Sequence, residues 1–291
     1  MLVSRYLQLD VFARTMGGGN PLGVVVDADG WSAEQMQSYA CWTNLVETTF
    51  LLPPIDQSAS YRVRIFTPTR EIAFAGHPSV GSAHAVLQCC IAEARDGLLV
   101  QECAAGLLEI RSEGVEGERD LFVQSPAGRV LQTGLDNEPR LRGLFADVAL
   151  GNLPPAFVEG GRRWWLAELA DEAELRAWRP DHALIGELAE ATQSMGLCVF
   201  ARSDSSDHDL VVRAFPAGVG IVEDPASGAA NGLIAAYIEV AAPDDPLTRG
   251  YRVSQGREIG HDAAIRIDFR NGGVWVGGKT NTIISAQTTW R

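Results

Sequence analysis

The sequence contains little cysteine, and the cysteines it has are badly placed for cross-linking or metal binding. There are five in 291 residues, an odd number, and two of them, Cys89 and Cys90, are adjacent. No C-x-x-C pair and no Cys/His ligand spacing occurs, which argues against a disulfide framework and against a zinc site. We therefore expect reduced thiols in a cytoplasmic protein.

Basic residues and long apolar runs are also scarce. The chain has 24 Lys and Arg against 37 Asp and Glu, for a net charge of −13. An acidic protein without a basic cluster repels phosphate backbones and anionic lipid, so we expect neither nucleic acid nor membrane as a partner. No apolar stretch reaches the roughly 18 residues of a membrane helix, and residues 1–10 lack a signal-peptide run.

The chain does contain an internal repeat. Pro78–Ala83 and Pro225–Ala230 both have the pattern Pro-x-x-Gly-small-Ala, offset by 225 − 78 = 147 residues. Upstream, Arg64–Pro68 and Arg213–Pro216 resemble each other at an offset of 213 − 64 = 149. Both offsets are about half of the chain length. The repeat predicts a duplication, with the chemistry where the two copies meet.

Hydrophobic patterning predicts an α+β fold. Each half contains several short strands and one prominent helix that starts at a loop rich in Gly, Pro and Ser. Ser32 and Gln35 form a capping box that opens an earlier helix, and Asn44 can end that helix in a left-handed conformation. We place the boundary between the halves at residue 126, giving domains 1–126 and 127–291.

Two segments resemble familiar catalytic or nucleotide-binding motifs but lack the sequence context or spacing that those motifs require. Gly273–Thr280 fits the phosphate-binding pattern G-x-x-x-x-G-K-[ST], but Val274–Val276 is strand-forming sequence and only 291 − 280 = 11 residues follow. Gly76–Gly81 resembles a serine-hydrolase elbow with one residue too many before Ser79. Nucleotide hydrolysis and triad chemistry are therefore disfavoured.

A polar residue precedes or opens each of the two repeated helices: His77 in the first half and Asp224 in the second. Helix N-termini favour anions through their free N–H groups and the helix dipole. Two such ends facing one cleft would hold a small carboxylate. The alternative is that both residues are caps, and Asp224 before Pro225 fits an N-cap well.

Glu47 is a third candidate. It lies at the start of an expected strand, 47–52, with apolar residues on both sides. A carboxylate in apolar surroundings has a raised pKa, which suits a proton carrier near neutral pH. A solvated glutamate at a strand start is the structural alternative.

Several separate motifs resemble the PhzF-like (phenazine biosynthesis) isomerase family of the diaminopimelate epimerase-like superfamily. The order and spacing of these motifs agree nearly end to end. They are Gly19–Leu22, Asn44–Phe50, Arg64–Pro68, Phe74–Pro78, Glu223–Gly228, Ser254–Gly256 and Val276–Gly278.

The resemblance implies two pseudo-symmetric halves, each a curled β-sheet around a central helix, with the active site in the cleft between them. It implies a cofactor-independent and metal-free isomerase, often a homodimer, that moves a proton on a dihydro-hydroxyanthranilate. The family's catalytic glutamate corresponds to Glu47, its Gly-His pair to Gly76 and His77, and its aspartate to Asp224. We expect backbone N–H groups at Gly76, Ser227, Gly228 and Ala229 to bind the substrate carboxylate.

The sequence also departs from the family pattern. Ala229 replaces a serine that contacts substrate in many members, and Gly260–Ala263 replaces a Gly-Arg-Pro-Ser motif. Related racemases use two cysteines at the helix N-termini, and neither loop here contains one, which favours a carboxylate mechanism. The sequence predicts an isomerase or epimerase acting on a small carboxylate. The alternatives are a non-catalytic carboxylate-binding protein on the same fold, favoured by Ala229, and a hydrolase.

Overall fold

The computed structural model describes residues 2–115, 117–136 and 138–290, apart from the side chain of Leu2. The strands in this part of the chain are β1 (Leu2–Val11), β2 (Asn20–Val26), β3 (Thr48–Leu52), β4 (Tyr61–Phe66), β5 (Glu71–Ile72), β6 (Leu98–Cys103), β7 (Gly106–Glu113), β8 (Asp120–Gln124), β9 (Arg129–Thr133), β10 (Ala156–Gly160), β11 (Arg162–Glu168), β12 (Leu197–Arg202), β13 (Leu210–Phe215), β14 (Tyr251–Gln255), β15 (Ala263–Arg270), β16 (Gly273–Gly278) and β17 (Thr280–Trp290).

The α-helices are α1 (Ala33–Thr43), α2 (Gly76–Gln88), α3 (Pro139–Leu144), α4 (Glu172–Ala177), α5 (His182–Thr192) and α6 (Gly228–Ala241). Short 3-10 helices cover Ala217–Val219, Pro246–Arg249 and Arg257–Ile259. In the described part of the chain, no helix has the length and apolar character that crossing a membrane would require.

The chain forms two compact units, and each has the same strand pairing. In the first unit, β1–β2 is antiparallel, β2–β3 parallel, β3–β4 antiparallel, β4–β6 parallel and β6–β7 antiparallel. In the second, β10–β11, β11–β12, β12–β13, β13–β14 and β14–β15 repeat that alternation. The predicted duplication is therefore visible in the topology of the sheets.

The first unit comprises residues 1–124 together with 277–291, and the second comprises 125–276. The division lies close to the predicted boundary at residue 126, but the last strand differs from the predicted assignment to the second half. β17 pairs antiparallel with β1 along ten residues of β1. In the second unit the corresponding neighbour of β10 is β9, which comes from the start of that unit.

Each unit encloses one helix almost completely. α2 contacts β1, β2, β3, β4, β6, β7, β8 and β17, and α6 contacts β9, β10, β11 and β15. Close packing demands small residues: a Cβ on Gly81 would lie 2.4 Å from Leu22 Cδ2 and 2.9 Å from Val11 Cγ2. α1 has the predicted capping box at Ser32 and the left-handed Asn44 at its end.

The starts of the two central helices correct the alignment made on sequence. α2 begins at Gly76, so Pro78 is its third residue, whereas α6 begins at Gly228, three residues after Pro225. The structurally equivalent helix starts are 228 − 76 = 152 residues apart, not 147. The proline alignment is therefore wrong by five residues, although Arg64 and Arg213 are both the fourth residue of their strands.

The segment 273–280 forms β16 and the first residue of β17. The phosphate-loop pattern thus falls on strands that lead into another strand. No helix follows it in the described residues, so this segment lacks the strand–loop–helix geometry that phosphate binding needs.

An arginine–glutamate pair recurs in both units, with different burial. Arg64 Nε and Nη2 donate to the two carboxylate oxygens of Glu71 at 2.7 Å each. Arg213 donates to both oxygens of Glu223 at 2.9 Å, and also to the carbonyl of Trp178 at 2.7 Å. The first pair is 29% and 36% exposed, the second only 4% and 5%.

The two pairs form a matched test of burial. We expect Glu223→Gln to lower the free energy of unfolding by about 3–5 kcal/mol, because it leaves the buried Arg213 without a countercharge. Glu71→Gln should cost about 1 kcal/mol or less, since solvent screens that pair. Urea denaturation of the two variants measures the difference, and equal losses would contradict it.

Candidate active site

Glu47 is positioned by the end of α1 and the start of β3. Asn44 ends the helix with φ 52° and ψ 30°, which turns the chain toward the sheet. The carbonyl of Glu47 accepts from the N–H of Gly23 at 3.5 Å, immediately before β3 begins at Thr48. The strand therefore starts one residue later than predicted. The Glu47 side chain is only 13% exposed.

His77 is the second residue of α2, and its imidazole points to Glu47. Its Nε2 lies 3.5 Å from Glu47 Oε2, and its side chain is 8% exposed. This buried Nε2 has no hydrogen-bond acceptor or donor among the residues that the structure describes. The structure thus brings two of the predicted catalytic residues, Glu47 and His77, together within one unit.

Burial sets the charge state of His77. Removing the imidazole from water lowers its pKa to about 3, because the charged form loses its hydration. A carboxylate at 3.5 Å would favour the imidazolium, but burial outweighs this. At neutral pH His77 is therefore uncharged, with one ring nitrogen as a donor and the other as an acceptor.

The N-terminus of α2 presents free amides beside this pair. Its N-cap, Ala75, has no side-chain hydrogen bond to offer, and Pro78 has no N–H. The amides of Gly76 and His77 have no backbone acceptor within the described chain. They can donate hydrogen bonds to an anion at the positive end of the helix dipole.

Asp224 is not a helix cap. Its Oδ1 accepts from the N–H of Ala226 at 3.2 Å in a turn that precedes α6. The N-cap of α6 is Ser227, whose side chain accepts from Ala230 N–H. His77 is not a cap either, because it lies inside α2. The alternative that both residues are helix caps is therefore wrong.

The three predicted binding residues at α6 differ in whether their backbone N–H already has a hydrogen-bond acceptor. The N–H of Ser227 donates to Gln255 Oε1 at 3.3 Å, so it is already used. Gly228 and Ala229 are the first two residues of the helix, and their amides have no backbone acceptor within the described chain. Ala229 is exposed.

Two buried glutamines near these helix N-termini were not predicted. Gln101 on β6 and Gln255 on β14 are both fully buried. The available signal for Gln101 was its inward position on β6, where Leu99, two residues earlier, is also buried. Among the described residues, no group of three or more His, Cys, Asp and Glu side chains could hold a metal ion.

A model of the phenazine biosynthesis-like protein family matches residues 9–286. The chain belongs to this family. The predicted recognition is therefore confirmed, and it covers nearly the whole chain.

Individual family members agree over most of their length. The chain is 30% identical to antisense-enhancing sequence 1 of Schizosaccharomyces pombe, over 97% of this chain and 98% of that protein. It is 32% identical to the trans-2,3-dihydro-3-hydroxyanthranilate isomerase of Pseudomonas aeruginosa, over 88% of this chain and 87% of that enzyme. A crystal structure of a PhzF-family protein from Bacillus anthracis superposes with a TM-score of 0.85 at 23% identity, covering 99% and 100% of the chains.

These likenesses decide the class of protein. The pseudo-symmetric α+β fold is confirmed by the solved structure and by the repeated strand pairing. The isomerase class is confirmed, because several relatives are named isomerases. The shared cleft, the homodimer and the individual roles of Glu47, His77 and Asp224 stay predictions.

The uncharged state of His77 predicts how folding stability depends on pH. Its pKa is about 3 when folded and near 6.5 when unfolded, so between these values only the unfolded chain binds the proton. Folding stability should therefore fall as the pH drops from about 6.5 to 3, by up to about 1.4 kcal/mol per pH unit from this group. Stability is fully retained above pH 6.5.

Nitrogen-15 NMR of the labelled imidazole measures this directly. The His77 ring should keep the shifts of a neutral imidazole at pH 5. His77→Gln should flatten the stability profile between pH 6.5 and 3. A His77 titration midpoint near 6.5 would contradict the assigned charge state.

Proposed function

We propose that this protein is a cofactor-independent isomerase that moves a proton on a small carboxylate substrate, with Glu47 as the proton carrier. The observation that supports it best is the buried contact of Glu47 with an uncharged His77 beside free helix amides. Glu47 removes a proton from a substrate carbon and returns it to another carbon. The electron pair left behind shifts along the substrate, so no group is lost or gained.

His77 and the start of α2 serve this transfer without changing their own charge. The neutral imidazole forms a hydrogen bond with a polar group of the substrate and can polarise that group. The amides of Gly76 and His77 hold the carboxylate at the positive end of the helix dipole. A fixed array of donors stabilises negative charge that develops as the proton leaves.

The first substrate to test is trans-2,3-dihydro-3-hydroxyanthranilate, the compound named for two relatives about 32% identical. It carries the carboxylate that the α2 amides can bind. Asp224 and the amides of Gly228 and Ala229 are proposed to hold polar groups of the substrate. Ala229 offers no hydroxyl, so this part of the site relies on backbone donors.

The decisive test is proton exchange in heavy water, followed by NMR of each carbon-bound hydrogen. Wild-type protein should incorporate deuterium into the dihydro-hydroxyanthranilate and shift its double bonds. Glu47→Gln keeps the size of the side chain but cannot carry the proton, so the rate should fall by about 10²–10⁴-fold. Glu34→Gln, an exposed carboxylate on α1, is the matched control and should keep full activity.

Three outcomes separate the alternatives. Exchange that survives in Glu47→Gln would overturn the role of that residue. Binding of the compound without any exchange would favour the non-catalytic carboxylate-binding protein. Exchange with other small amino or hydroxy carboxylates, but not with this one, would keep the chemistry and change the substrate.

A further inference from the structure

A buried glutamine is linked to the start of α2 through one serine. Gln101 Nε2 donates to Ser79 Oγ at 3.0 Å, and Ser79 Oγ donates to the carbonyl of Ala75 at 2.9 Å. Gln101 is itself fixed by Tyr61, whose hydroxyl donates to Gln101 Oε1 at 3.0 Å. The chain of bonds therefore ends on the N-cap residue of α2.

The second unit contains the same arrangement with different side chains. Asn231 Nδ2 lies 2.9 Å from Gln255 Oε1 and 2.9 Å from the carbonyl of Ser227, and it donates to both. Ser227 is the N-cap of α6. Gln255 also donates from Nε2 to the carbonyl of Asp224 at 2.8 Å.

The two relays occupy equivalent places in the fold. Ser79 and Asn231 are each the fourth residue of their helix, and each reaches back to the N-cap carbonyl. Gln101 and Gln255 lie on β6 and β14, the strands that pair in parallel with β4 and β13. By sheet register Gln255 is two residues further along its strand, which leaves it on the same face.

The physical effect of each relay follows from the planar peptide group. The carbonyl of the N-cap residue and the N–H of the first helical residue belong to one peptide plane. The carbonyl of Ala75 accepts from the backbone N–H of Ser79 at 3.2 Å, and the bond from Ser79 Oγ adds a second constraint on it, and therefore on the N–H of Gly76. The bond to Ser227 likewise fixes the N–H of Gly228. These are the free amides at the two helix starts.

We propose that Gln101 with Ser79, and Gln255 with Asn231, are positioning residues that aim the first free amide of α2 and of α6. This inference rests on the proposed function, in which the α2 amides bind the substrate carboxylate and the α6 amides hold its other polar groups. None of the four side chains needs to touch the substrate. Each pair acts through the peptide plane that it holds.

The first unit offers a well-matched set of variants. Gln101→Met keeps the volume and removes the bond to Ser79, and Ser79→Ala removes the bond to Ala75 with a smaller change. Ser82→Ala is the control, because it removes a buried hydrogen bond of α2, from Ser82 Oγ to Thr49 Oγ1, and leaves the bonds of the relay in place. If Gln101→Met fails to fold, Ser79→Ala still tests the relay.

Two readouts are needed, one without substrate and one with it. In the free protein, the backbone amide of Gly76 should shift in Gln101→Met and Ser79→Ala, measured by NMR, and stay in place in Ser82→Ala. With dihydro-hydroxyanthranilate in heavy water, both relay variants should lose about tenfold or more in exchange rate at saturation, since misplaced donors cost orders of magnitude. Ser82→Ala should stay within about threefold of wild type.

The double variant Gln101→Met/Ser79→Ala distinguishes a relay from two independent losses. Members of one relay should not add, so the double variant should be no slower than the slower single variant. A multiplicative loss, an unmoved Gly76 amide, or a Ser82→Ala variant as slow as Gln101→Met would overturn the proposal. If wild-type protein shows no exchange, the proposed function fails, and the Gly76 shift still decides the relay.

Discussion

Each unit is organised by the burial of one helix inside its own sheet, and the rest of the site follows from that constraint. A helix with strands on several sides must have small residues, as Gly81 against Leu22 and Val11 shows. The sheet also reaches the start of each helix through a buried side chain. Gln101 bonds to Ser79 in one unit, and Gln255 bonds to Asn231 in the other.

The same burial gives the chemistry its character. His77 enters the helix in a place where an imidazolium would lose its hydration, so the ring stays neutral beside the carboxylate of Glu47. An uncharged ring and backbone amides can stabilise a developing negative charge without exchanging protons with it. Glu47, which immediately precedes β3 and is not on the helix, is then the side chain suited to carry a proton.

The sequence predicted features that depend on local chemistry or on recognisable motifs. The capping box at Ser32 and the left-handed Asn44 needed only neighbouring residues. The family motifs predicted Glu47 and His77, which the fold places 3.5 Å apart. The start of α6 was missed because Asp224–Pro225 has the sequence pattern of an N-cap followed by proline. In the structure the N-cap is Ser227. Gln101 had only its inward position on β6 as a signal, and Gln255 lies in a recognised motif. The hydrogen bonds of both join distant segments, which no local pattern predicts.

The origin of β17 has a consequence for how the protein is made. During translation, β1 is synthesised before residues 125–276, and its partner β17 is synthesised after them. Until then one edge of the first sheet lacks its neighbour, whereas β9 reaches β10 early in the synthesis of the second unit. An open edge strand invites pairing with other chains. The first unit therefore keeps an exposed edge strand, open to pairing with other chains, until the second copy of the same topology has been synthesised.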